Sequence, residues 1–256
     1  MESSTVKQDF AKNSYIVDTQ SLTKKYGDFT ALRDLSLHVR EGEVFGFLGH
    51  NGAGKTTTIN ILTTLLEPTS GNAIVAGCNV VKDSMGVRRQ IGYLPENVQL
   101  YDGLTVYENL DYFARLSGIK KPHRRIVEVL DLLNVGYGDK KISTLSKGMR
   151  QRIGIAQAIV HQPRILFLDE PTSGLDPFGV KEVRDIILKL NREFGMTIFM
   201  NTHLLSEVMR TCSRIGVLSH GELIYADSLS NTLKQFKDEE SLEQIYLKIE
   251  GDGNHG

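Results

Sequence analysis

The sequence lacks most of the features that mark secreted, membrane-spanning or nucleic-acid-coating proteins. Its 256 residues include only two cysteines, Cys78 and Cys212, which are far apart and form no CxxC pair. We therefore expect reduced structural thiols and no disulfide framework. The 30 basic and 31 acidic residues nearly cancel, which argues against nucleic acid as a partner. No apolar run approaches the roughly 18 residues that a spanning helix needs, so a role at a membrane would require a partner that spans it.

The two ends of the chain differ from its middle. Residues 1–13 are mostly polar and lack the apolar core of a secretory signal, so we expect a flexible N-terminus and a cytoplasmic protein. The middle, residues 14–226, is predicted to form the main domain. Residues 227–256 are predicted to form a C-terminal tail of one or two amphipathic helices.

One glycine-rich stretch has the form G-x-x-x-x-G-K-[S/T], the phosphate-binding P-loop. A short apolar run precedes it, and apolar residues at helical spacing follow from Thr57 to Leu66, which is the context that the motif requires. Lys55 is predicted to neutralise the β- and γ-phosphates and Thr56 to ligate Mg²⁺. The alternative is a glycine-rich turn that happens to contain Lys-Thr. The residues predicted to bind the nucleotide are Gly49, His50, Asn51, Gly52, Ala53, Gly54, Lys55, Thr56 and Thr57.

Strand patterns alternate with helix patterns along the rest of the chain, which predicts a parallel sheet covered on both faces. Leu35, Leu37 and Val39 alternate with polar residues and indicate a half-exposed antiparallel strand. Residues 97–160 read as a helical insert. A capping box at Thr105 starts its first helix, and Pro122 opens its second.

Two carboxylates follow the apolar run Ile165–Leu168, at the strand end where ligands bind in open α/β sheets. Asp169 is predicted to hold Mg²⁺ through water. Glu170 is predicted to orient the attacking water or accept its proton. An exposed acidic turn is the alternative.

The segment Leu145 to Gln151 (LSKGMRQ) resembles the signature motif of ATP-binding cassette (ABC) proteins, usually LSGGQ, and the family's other motifs stand around it in their expected order. The resemblance covers roughly residues 15–225. It implies an α/β fold of the P-loop NTPase (RecA-like) type, with a parallel-sheet core, an N-terminal antiparallel β-subdomain and an inserted α-helical subdomain. The chain also resembles the ATPase subunits of ABC-2-type exporters.

The resemblance assigns a role to each remaining motif. Tyr26 resembles the aromatic that stacks on adenine, and His203 resembles the switch histidine that contacts the γ-phosphate. Asp176 ends the stretch that resembles the D-loop. Ser146 suits an N-cap, so Ser146 and Gly148 can present a hydroxyl, N–H groups and a helix dipole to an anion. The family implies that this anion is the γ-phosphate held by a second subunit. A surface aromatic, a core histidine and a plain helix start are the respective alternatives.

Three positions depart from the family pattern. Lys147 replaces the first signature glycine and Met149 replaces the glutamine, which leaves contacts to the partner's ribose open. Glu96 stands where the family commonly has the Q-loop glutamine. A carboxylate there can ligate Mg²⁺ more strongly, or its added negative charge can slow closure.

These observations predict an ATPase that uses ATP and Mg²⁺, pairs with a second nucleotide-binding subunit as a homodimer, and drives a separate ABC transmembrane permease. We expect the protein to lie on the inner face of the cell membrane and the direction of transport to be export. A soluble ABC ATPase is the main alternative. A GTPase switch lacks support because no N-K-x-D segment is present, and a non-hydrolysing scaffold is disfavoured by Glu170.

Overall fold

The computed structural model describes residues 15–237 and 242–253. The predicted flexible N-terminus, residues 1–13, lies outside these residues, as do the last three positions. The strands in chain order are β1 (Tyr15–Tyr26), β2 (Phe29–Leu35), β3 (His38–Arg40), β4 (Val44–Leu48), β5 (Ser70–Val75), β6 (Cys78–Asn79), β7 (Ile91–Leu94), β8 (Ile165–Asp169), β9 (Thr197–Asn201), β10 (Arg214–Ser219) and β11 (Glu222–Ser228).

The helices cover the sheets and connect their strands. They are α1 (Lys55–Leu62), α2 (Ser84–Gln90), α3 (Val106–Leu116), α4 (His123–Leu132), α5 (Lys147–Ile159), α6 (Pro177–Phe194), α7 (Leu205–Thr211), α8 (Leu229–Gln235) and α9 (Leu242–Gly253), with a 3₁₀ turn at Ile142–Thr144. Within the described part of the chain, none of these helices has both the length and the apolar character needed to cross a membrane.

The central sheet has the strand order β11-β10-β4-β9-β8-β7. Its neighbours are parallel except β11, which pairs antiparallel with β10 at the edge. Every residue of β4, β8 and β9 is buried, as expected for parallel strands with both faces covered. Because the strands are parallel, β4, β8 and β9 present their carboxyl ends at one edge. The predicted parallel sheet is confirmed.

The N-terminal strands form a second sheet. In it β1 pairs antiparallel with β2, β3 and β5. Leu35, Leu37 and Val39 are buried and the residues between them are not, which confirms the predicted alternation. The predicted strand is divided in two, however: Leu35 ends β2, Val39 lies in β3, and residues 36 and 37 between them belong to neither strand. Phe45 and Phe47 of β4 pack with Phe199 in the core between the two sheets.

Between residues 97 and 160 every regular element is a helix, apart from one isolated bridge between Thr105 and Lys141. The capping box is present: Thr105 Oγ1 accepts from Glu108 N, and Thr105 N donates to the Glu108 carboxylate. Pro122 precedes α4 as its N-cap. Helices α3 and α4 pack against α5, which packs against the central sheet.

Both predicted ends of the helix after the phosphate loop are wrong. The helix expected over Thr57–Leu66 begins at Lys55 and ends at Leu62, because Thr64 adopts φ 63° and leaves Leu65 61% exposed. The helical spacing of apolar residues continues to Leu66 in the sequence, but the helix itself has already ended. The last helix, α9, extends to Gly253 although glycine usually weakens a helix.

Candidate functional site

The glycine-rich loop lies between β4 and α1, at the carboxyl edge of the central sheet. Gly52 and Gly54 have φ 86° and 108°, values that favour glycine. A Cβ on Gly54 would lie 2.6 Å from Ala31 O, so a side chain there would push the loop off β2. A Cβ on Gly52 would meet no heavy atom within 4 Å. The loop is therefore packed tightly on one side and open on the other.

Lys55 carries the positive charge of this loop. It is 6% exposed, and its Nζ donates to Gly49 O at 2.7 Å and to His50 O at 3.1 Å. Backbone carbonyls therefore fix the ammonium inside the curve of the loop. A phosphate placed there would meet this ammonium and the N-terminal end of α1.

The turn between β10 and β11 supports the loop from behind. Gly221 N donates to Ala53 O at 2.9 Å, and Gly221 O accepts from Arg33 N at 2.9 Å. The His220 ring lies 5.0 Å from the His50 ring, centroid to centroid. This turn thus joins the phosphate loop to the antiparallel sheet.

Asp169 ends β8 beside the loop and is 5% exposed. Its Oδ1 accepts from Asn201 Nδ2 at 2.5 Å. Burial raises the pKa of Asp169, the charges of Glu170 and Glu96 add to this, and Asn201 and Lys55 oppose it. Burial, with the nearby Asp169 charge, also raises the pKa of Tyr93 to about 12. The site thus concentrates negative charge that a cation would stabilise.

Glu170 adopts φ 48°, an uncommon value for a residue other than glycine, which costs on the order of 1 kcal/mol or more. Its N–H donates to Asn201 O at 3.0 Å. Its Oε2 lies 2.9 Å from His203 Nδ1, and the two side chains are 12% and 55% exposed. The strained backbone therefore places the carboxylate against the imidazole at the entrance of the site.

These groups share one cleft of about 450 Å³. It brings together residues from positions 26 to 203, including most of the predicted nucleotide and metal contacts. Phe29, Ala31 and Asn201 also line it and were missed. Asn201 carries the same positional signal as Asp169, since each ends a buried strand, whereas Phe29 and Ala31 carry none. The lining residues are Tyr26, Phe29, Ala31, Asn51, Gly52, Gly54, Lys55, Thr56, Thr57, Glu96, Asp169, Glu170, Asn201 and His203.

Ser146, Gly148 and Asp176 do not line this cleft. Ser146 is the N-cap of α5, and its Oγ accepts from Met149 N at 3.3 Å. Asp176 is the N-cap of α6, where its Oδ1 accepts from Gly179 N at 2.7 Å. A Cβ on Gly148 would lie 3.9 Å from Gly179 Cα, so the two helix starts are adjacent. The predicted residues thus form two groups within one chain.

A parallel sheet with a phosphate loop after β4 and two carboxylates at the end of β8, with β9 between these strands, defines a P-loop nucleotide hydrolase. The family profile described as ABC transporter matches residues 32–173. The chain is 45% identical over 213 residues to the uncharacterized ABC transporter ATP-binding protein YhcH of Bacillus subtilis, covering 82% of this chain and 68% of the relative. It is 43% identical over 212 residues to the bacitracin transport ATP-binding protein BcrA of Bacillus licheniformis, covering 82% and 69%.

Solved structures agree. The ATP-binding subunit of an ABC transporter superposes with a TM-score of 0.81 at 28% identity, covering 91% of this chain and 99% of the other. A dimeric ATP-binding cassette in a post-hydrolysis state with ADP and phosphate gives 0.74 at 29% identity, covering 83% and 98%. The chain belongs to the ATP-binding subunits of ABC transporters, and its activity is ATP hydrolysis.

Proposed function

We propose that two copies of this chain pair head to tail, each closing the other's cleft, and drive a separate membrane permease. The observation that carries the proposal is the division of the site residues into two groups. The cleft holds the phosphate loop, Asp169 and Glu170, whereas Ser146 and Asp176 are exposed elsewhere on the same chain. A second copy would bring its Ser146 helix start to the open side of the cleft. The solved relative described as a dimer supports the pairing of two copies.

Within each cleft the residues divide the work on ATP. Tyr26 stacks on the base, the loop N–H groups and Lys55 hold the phosphates, and the partner's Ser146 and Gly148 N–H groups cap the γ-phosphate. Glu170 orients the attacking water or accepts its proton. His203, held by Glu170, contacts the γ-phosphate. Loss of that phosphate removes the bridge between the two copies, and the dimer reopens.

Mg²⁺ fits the donor set of the cleft. Among the described residues there is no group of three or more His, Cys, Asp or Glu side chains that could hold a metal ion, so the ion would need oxygen ligands of other kinds. Thr56, Asp169 and Glu96 line one cleft, where burial, together with the charges of Glu170 and Glu96, raises the pKa of Asp169. These three would hold the ion with phosphate oxygens completing its shell. When bound, Mg²⁺ neutralises the phosphate charge.

The partner and the direction are inferred from relatives. The bacitracin transport protein and the linearmycin resistance ATP-binding protein of Bacillus subtilis, 37% identical over 212 residues, point to export of a compound harmful to the cell. The pair would then act at the inner face of the membrane. The helical segment 97–160 and the Glu96 stretch would transmit the change in the nucleotide site to the permease.

The substitution Glu170→Gln tests the proposal. It removes the carboxylate that orients or deprotonates the attacking water but keeps the shape of the side chain. We therefore expect the variant to bind ATP without hydrolysing it and to accumulate as a dimer, which light scattering measures. Ser146→Ala added to this variant removes the partner's cap and should return it to monomers. A Glu170→Gln chain that stays monomeric at saturating MgATP contradicts the head-to-tail pair.

A further inference from the structure

Two large aromatic side chains from the β1–β2 hairpin line the cleft. Tyr26 ends β1 and Phe29 begins β2, and they are paired residues across a two-residue turn. Side chains of such a pair project from the same face of the hairpin. They are 50% and 63% exposed, and both line the cleft. The hairpin thus offers two aromatic surfaces to whatever the cleft holds.

The Tyr26 ring is already covered on one side. Lys24 Nζ lies 5.1 Å from its centroid, at a distance typical of a cation–π contact. The same ammonium donates to Glu67 O at 2.8 Å, which anchors it. Because a fixed cation faces the ring from this side, a flat ligand has the opposite face available.

Phosphate-binding residues and aromatic residues line the same cleft, since Lys55 and Thr56 lie in it together with Tyr26 and Phe29. A nucleoside triphosphate has the matching shape, with an anionic end and a flat aromatic end. Exposed aromatics are common on protein surfaces. An exposed aromatic inside a nucleotide cleft gains a specific partner when the base arrives.

We propose that Phe29 is a second nucleobase contact, acting with Tyr26, and that Lys24 is a positioning residue which fixes the Tyr26 ring. The proposal rests on nucleotide binding in this cleft as proposed above, and extends it from one aromatic contact to a two-residue base site backed by a cation. The base is thereby held by stacking and apolar contact from both arms of the hairpin.

The chain contains no tryptophan, so Phe29→Trp introduces a single fluorescent reporter at this position. In the full-length protein we expect a non-hydrolysable ATP analogue to change the emission of this residue, and inorganic tripolyphosphate, which has no base, to leave it unchanged. Phe194→Trp is the matched control, because Phe194 is 58% exposed at the end of α6 and outside the cleft. Its emission should respond to neither ligand.

Affinities complete the test. Phe29→Ala should weaken binding of the ATP analogue about fivefold or more, as expected for loss of one stacking contact, and leave tripolyphosphate binding as it was. Phe29→Tyr should restore the affinity. Lys24→Met should give a smaller loss, again for the analogue alone.

Three results would overturn the proposal. Equal losses for both ligands would mean that Phe29 supports the phosphate loop. A selective loss with Tyr26→Ala but none with Phe29→Ala would leave Tyr26 as the base contact and remove Phe29, with the proposed function intact. Equal affinity of the wild-type chain for both ligands would remove the base site, including the role proposed for Tyr26.

Discussion

At the scale of single residues, the site is distinguished by groups held against their ordinary preferences. Asp169 is buried as a carboxylate, and Glu170 occupies a backbone conformation that favours glycine. Asn201 contacts both, through its side chain to Asp169 and its backbone carbonyl to Glu170 N. One asparagine therefore positions two carboxylates with different tasks. Such departures from local preference are expected at functional positions.

His161 gives a prediction for pH. Its Nε2 lies 2.8 Å from Ile91 O, and burial, with the nearby Arg125 charge, lowers its pKa. Because the folded value lies below that of the unfolded chain, the associated stability is fully present above the unfolded pKa of about 6.5 and is lost as the pH falls towards the folded value.

His161→Gln should therefore lose less stability between pH 7 and pH 5 than the wild type, since glutamine keeps a donor for Ile91 O without a titrating ring. Urea unfolding at several pH values measures this. His123→Gln, at an exposed position of α4, controls for removal of an imidazole. Parallel pH profiles for His161→Gln and the wild type would contradict the assignment.

At the scale of secondary-structure elements, local sequence signals are most reliable where a side chain itself caps a helix. The Thr105 capping box and the helix start at Pro122 were predicted and are confirmed. Helix α6 has such signals at both ends, because Asp176 caps its start and Gly195, at φ 64°, ends it. The end of α1 was predicted wrongly, since Thr64 turns the chain through a backbone conformation that its residue type does not indicate.

The capping box yields a stability prediction. Thr105→Ala leaves the Glu108 N–H without its acceptor and should lower the free energy of unfolding by about 1 kcal/mol. Urea denaturation measures the change. Ser143→Ala removes a nearby exposed hydroxyl that does not cap α3, so it should lower the free energy of unfolding by less. Equal costs for the two variants would argue against the cap as the source.

At the scale of the whole molecule, the carboxyl edge of the sheet could be predicted from the alternation of strands and helices, and with it the meeting of the phosphate loop and Asp169. The support that β2 and the β10–β11 turn give to the phosphate loop could not be predicted. Gly221 reaches Ala53 and Arg33 through backbone atoms, and backbone contacts across such distances leave no pattern of residue types.

This three-way junction predicts a long-range effect. A Cβ on Gly221, at φ 85°, would lie 2.8 Å from Ala31 O, whereas a Cβ on Gly77, at φ 83°, would meet no heavy atom within 4 Å. Both alanine variants share the backbone strain, so their difference reports the lost contact. Gly221→Ala should weaken ATP binding and lower the Tm more than Gly77→Ala, by calorimetry. Equal effects would mean that the turn does not support the loop.

The strand order also governs when a nascent chain can first hold ATP. The neighbours of β4 are β9 and β10, and Gly46 pairs with Met200 and Ile215. The strand before the phosphate loop therefore leaves the ribosome long before either neighbour, by on the order of ten seconds or more at ordinary rates of synthesis. During this interval the apolar residues of β4 have no neighbouring strands to pack against. Nucleotide can therefore stabilise only a polypeptide that already includes β9 and β10, so a stop in translation before these strands yields a product that ATP does not rescue.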